Sequence, residues 1–137
     1  MLRSFGSALA TLVVLLVLVV AGGRTDDEPK RGRDLIMQQK LGSAQKVLEG
    51  LAIKDFNMIE KHADELGILS KRAEWLVLKT PEYTRHSDDF RRNAETMSRM
   101  AKEKNLDGAA LAYVQLTMSC VNCHKYVREV RIARLDQ

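Results

Sequence analysis

Cys120-Val121-Asn122-Cys123-His124 lies inside a run in which Tyr113, Leu116, Cys120, Cys123, Val127 and Val130 fall on one helical face. A helix brings positions 120 and 124 to one side, four residues apart, with position 123 beside them. Two thiols at this spacing can add to the two vinyl groups along one porphyrin edge, and the imidazole next to them can ligate the iron. The five residues therefore read as the attachment site of one c-type haem. Cys120 and Cys123 are its covalent anchors and His124 is the proximal axial iron ligand. The chain has 2 cysteines, and both stand in this stretch.

Other uses of two cysteines and a histidine fit less well. A zinc site needs two more ligands, and the remaining histidines, His62 and His86, are far apart in sequence. A thioredoxin-like pair belongs to a βαβ pattern, which the chain does not show. A disulfide between Cys120 and Cys123 gives His124 no role.

The N-terminus carries an address. Arg3 precedes an almost unbroken Leu, Val and Ala run from Leu9 to Ala21, and Ala21-Gly22-Gly23 offers small residues for cleavage. This is the pattern of a signal peptide over residues 1–23; an uncleaved membrane anchor is the competing reading. It implies a periplasmic or otherwise exported protein, and c-type haem is attached outside the cytoplasm. Residues 24–33, with Pro29 and Gly32, read as a flexible lead-in. A formal net charge of +4 from 22 basic and 18 acidic side chains gives no sign of a nucleic-acid binder.

Residues 34–137 read as helical throughout, with no strand-like alternation. The first helix spans about 34–51, with Met37, Leu41, Ala44, Leu48 and Leu51 as its buried stripe. The second follows an Asp55 cap and runs on through Ala73 and Leu76 to stop before Thr80-Pro81. Ser87 caps the third, which buries Phe90, Ala94, Met97 and Ala101. Asp107 caps the fourth. Short links make neighbours antiparallel, so the fold class is all-α, an up-down-up-down four-helix bundle. His62 is placed beside the second stripe, and His86 in a link facing solvent.

A CxxCH near the C-terminus of four helices resembles the cytochrome c′ family, the class II c-type cytochromes. The resemblance rests on Cys120, Cys123, His124 and Arg128, a position where the family has Arg or Lys. It departs at Val127, where the family often has an aromatic residue; here Tyr126 sits one place earlier. The resemblance implies that a residue early in the first helix faces the distal side of the haem. Met37 is thus the candidate distal axial ligand, although a methionine on a core stripe also serves as plain packing. Arg128 is a possible haem contact. Lys125, Arg128, Arg131 and Arg134 either form a solvated face suited to the helix dipole or dock an acidic redox partner.

The implied function is an exported electron carrier with His/Met-ligated iron and a redox partner protein. The alternative is a five-coordinate haem module that binds nitric oxide or carbon monoxide. No paired carboxylates or Ser/His arrangement points to an enzyme. A membrane is a partner only if the N-terminal segment is retained, and a homodimer follows by family analogy alone.

Overall fold

The structure, a computed structural model, describes residues 28–72, 75 and 77–135. The signal peptide expected over 1–23 lies outside the described residues. The chain divides into two units, Met1–Gly32 and Arg33–Gln137, and the packing below belongs to the second. Among the described residues there are four helices: α1 (Glu28–Ile53), α2 (Phe56–Leu69), α3 (Pro81–Lys102) and α4 (Leu106–Leu135). No strand occurs among them. The described residues form an all-α four-helix bundle.

The lead-in is shorter than expected, because α1 already begins at Glu28. Pro29 does not oppose this, since the first turn of a helix needs no N–H from that position.

Two links repeat one device. Lys54 and Lys104 both take left-handed backbone, at φ 59 and 57. The next N–H then reaches back five residues, from Asp55 to the Gly50 carbonyl (2.8 Å) and from Asn105 to the Met100 carbonyl (2.9 Å). That same residue caps the following helix. Asp55 Oδ1 accepts from Met58 N–H at 3.0 Å, and Asn105 Oδ1 accepts from Gly108 N–H at 2.9 Å. Asn105, rather than Asp107, is therefore the cap of α4.

The second and third helices also differ from the expected spans. α2 stops at Leu69, where the Ser70 hydroxyl donates to the Gly67 carbonyl (2.7 Å). Thr80 caps α3 with Pro81 at its start, Thr80 Oγ1 accepting from Tyr83 N–H at 3.2 Å. Ser87 is thus a buried residue inside α3. The link between α2 and α3 instead carries Trp75 and Leu78 into the core.

Contacts set the helix directions. Ser43 donates to Glu65 (3.2 Å) across α1 and α2. Lys102 pairs with Glu60 (3.7 Å) across α2 and α3. Thr80 meets Tyr126 (2.7 Å) near the start of α3 and the end of α4. Each neighbouring pair is antiparallel. The main core joins Val47, Ile59, Leu66, Phe90, Met97 and Leu116 to a run of alanines on α3 and α4. Small side chains there let those two helices approach closely. A second apolar group, at the end of the bundle where α1 begins, holds Ile36, Trp75, Leu78, Tyr83 and Cys123.

α1 packs one residue out of the expected register. Its buried positions are Ile36, Lys40, Ser43, Val47 and Gly50, whereas Leu41 and Leu48 are 61% and 53% exposed. Gly50 explains the choice. A Cβ there would stand 3.0 Å from Ile59 Cγ1 and 3.1 Å from the Asp55 carbonyl oxygen, so only glycine lets α1 meet α2 at this point. Gly50→Ala is expected to destabilise the fold by about 1–2 kcal/mol, overpacking outweighing the better helix propensity. Gly42, with nothing within 4 Å, should respond with the opposite sign: Gly42→Ala gains about 0.5–1 kcal/mol. Urea denaturation of the two variants checks the pair, and equal signs would refute this register.

Candidate functional site

α4 delivers the Cys120–His124 stretch as unbroken helix. Cys123 is buried among Ile36, Trp75, Leu78 and Tyr83. Cys120, half-buried, packs on the edge of the main core, as does Tyr113. The two thiols therefore stand where the two apolar groups meet. Both are free, and burial pushes both thiols above their usual range. His124 is exposed. Partial desolvation, then the nearby Arg128 and Lys40 charges, lower its pKa below the ordinary value.

The aromatic wall beside Cys123 is tied together by hydrogen bonds. Trp75 Nε1 donates to Ser87 Oγ (2.9 Å), which donates to the Tyr83 carbonyl (2.9 Å). The Tyr83 hydroxyl donates to the Trp75 carbonyl. The Trp75 ring lies 5.6 Å from Phe90 and 6.5 Å from Tyr83, centroid to centroid.

Lys40 enters this wall from α1. It is 7% exposed, and its Nζ lies 3.2 Å from the Trp75 ring centroid and 3.3 Å from that of Phe90. Among the described residues its amine has no hydrogen-bond partner. Desolvation brings its pKa down to about 7, against a weaker upward pull from Cys120 and Cys123. Lys40 was not legible as a site residue. A lysine on a helix reads as solvated surface, and only the register of α1 reveals it.

The other candidates separate cleanly. Met37 is half-buried and packs against the group that contains Cys123. Met97 is core, while Met118 is 52% exposed on the far side of α4. His62 pairs with Glu65 at 2.7 Å. His86 corrects the expected solvent-facing link: it is a buried residue of α3, 3.4 Å from Glu82 and 5.7 Å from the Tyr126 ring. Tyr126 is thus held against α3. Lys125, Arg128 and Arg131 are exposed on α4, while the Arg134 side chain lies outside the described ones. Among the described residues no three His, Cys, Asp or Glu side chains converge on a bare metal ion.

No family model matches the chain, no curated protein matches it in sequence, and no solved structure matches it in fold.

Proposed function

We propose that the chain carries one haem c, joined by thioethers to Cys120 and Cys123 with His124 as its proximal ligand, and works as an exported electron carrier. The observation that carries this reading is the placement of both thiols on one face of α4, at the junction of two apolar groups, with His124 beside them. One further feature suits a bound iron porphyrin: the buried Lys40 amine lacks an acceptor among the described residues, which a buried donor ordinarily has.

Bound there, the haem supplies one-electron ferric–ferrous exchange. The side chains set the terms. Trp75, Tyr83, Leu78 and Ile36, beside Cys123, would exclude water from the haem and lower the local dielectric. His124 would hold the iron from α4, and Met37 and Lys40, three residues apart on α1, would be the candidate donors from that helix. Exposed Lys125, Arg128 and Arg131 give a positive face for the propionates or for an acidic redox partner. Export rests on the 1–23 segment as read from sequence.

The test is the absorption spectrum of protein expressed with and without a haem-attachment system. A covalently coloured protein should appear only with that system, low-spin in both oxidation states and slow to bind carbon monoxide. A high-spin spectrum with fast carbon monoxide binding would replace electron transfer by gas binding at a five-coordinate iron.

A further inference from the structure

We infer that the amine of Lys40, rather than the thioether of Met37, is the donor that α1 presents to the haem iron, an inference that rests on the haem reading above. The register of α1 comes first. Lys40 lies in the buried stripe between Ile36 and Ser43, whereas Met37 stands at its half-buried edge. Among the described residues the amine is enclosed and unpartnered, with the Trp75 and Phe90 rings on either side. Those rings attract a cation but offer no acceptor for its N–H groups.

Among the described residues no carboxylate pairs with Lys40. The cation nearest in effect is Arg91, which disfavours its charge. Arg91 itself is bonded to the Asp88 carboxylate. Lys40 lies close enough to both thiols to oppose the upward push of burial on them. A buried amine held near the two haem anchors, with no carboxylate partner among the described residues, has the chemistry of an iron ligand. Ligation then releases one ammonium proton to solvent and gives the nitrogen lone pair to the iron, with no electron transferred. A nitrogen donor leaves the reduction potential below that of a thioether centre, since methionine ligation raises it.

The experiment compares matured wild-type protein with Met37→Leu and Lys40→Leu by ferric optical and paramagnetic resonance spectra. The wild type and Met37→Leu should both be low-spin, without the weak red-edge band that marks thioether ligation. Lys40→Leu should become high-spin or acquire that band. A thioether band in the wild type that vanishes in Met37→Leu overturns the inference, as does a high-spin wild type or an unaltered Lys40→Leu; each leaves the covalent haem standing. A wild-type chain without covalent haem overturns the haem reading and the inference together. Should Lys40→Leu fail to mature, wild-type protein grown on 13C-lysine decides in the reduced state. One lysine's methylene resonances should move far upfield in the ring current, and a methionine methyl found there instead overturns the inference.

Discussion

Replacing Cys120 and Cys123 together by alanine is expected to give a colourless, fully folded chain from cells that make the wild type coloured. Both thioether bonds disappear, so attachment is lost entirely rather than weakened. Alanine is the appropriate replacement. Cys123 is 9% exposed in an apolar group, and a serine hydroxyl buried there would itself cost about 1–3 kcal/mol without a partner. Loss of the sulfurs leaves small cavities and a milder effect on the fold. Single substitutions should retain one bond and a fainter colour. His124→Ala should keep the colour, because His124 is outside the thioether chemistry, but alter the spin state. Denaturing gels stained for haem, with circular dichroism for helix content, read all four variants. Covalent colour in the double variant would move the attachment site elsewhere.

Lys40→Met should make the haem-free chain more stable at pH 7 by about 2–4 kcal/mol. The amine titrates near 7 in the fold, against 10.5 when unperturbed, and at 1.36 kcal/mol per unit that difference opposes folding by about 4 kcal/mol at neutral pH. Cation–π attraction to two rings returns about 0.5–2 kcal/mol. The sign of the pH dependence follows. Between pH 7 and 10.5 the unfolded chain binds the proton that the folded chain refuses, so stability rises with pH. Below 7 both states are protonated and the full penalty is present. Cys120 and Cys123, raised above 9.0, cost stability in both chains as the pH approaches and passes 9, and His124, lowered below 6.5, has its effect at more acid pH. From pH 7 to 9 the wild type should therefore gain about 2 kcal/mol relative to Lys40→Met. Urea denaturation at the two pH values measures this, and parallel behaviour of the two chains would show that Lys40 is not buried.

The helices were legible because their apolar periods are strong and their chemistry is local. α3 shows this best: Phe90, Ala94, Met97 and Ala101 are all buried, as their spacing indicates. The ends were harder to read. Thr80-Pro81 has the features of a start signal as well as a stop, and choosing Ser87 placed the cap of α3 seven residues late. Asp107 and Asn105 are both capping residues by type, and only backbone geometry at Lys104 selects Asn105. The register of α1 was not legible from hydrophobicity. Met37, Leu41, Ala44, Leu48 and Leu51 form a better apolar stripe than the buried one, but tertiary contact decides otherwise. Gly50 must face Ile59, and that turns Lys40 inward. At the candidate site, spacing alone singles out Cys120, Cys123 and His124. Trp75 stands out as an aromatic that could pack on a porphyrin and Phe90 as a core residue, but Lys40 and the joining of Trp75, Tyr83 and Phe90 into one wall depend on a link and a helix face that no local pattern fixes.

The most direct measurement is the intact mass of the purified protein after denaturation, from an exporting host with haem-attachment machinery. The expected result is one species heavier than its polypeptide by the mass of a single haem, with the excess carried by the peptide that contains Cys120 and Cys123. A mass equal to the bare polypeptide, from a host that loads other c-type cytochromes in the same cells, would contradict it.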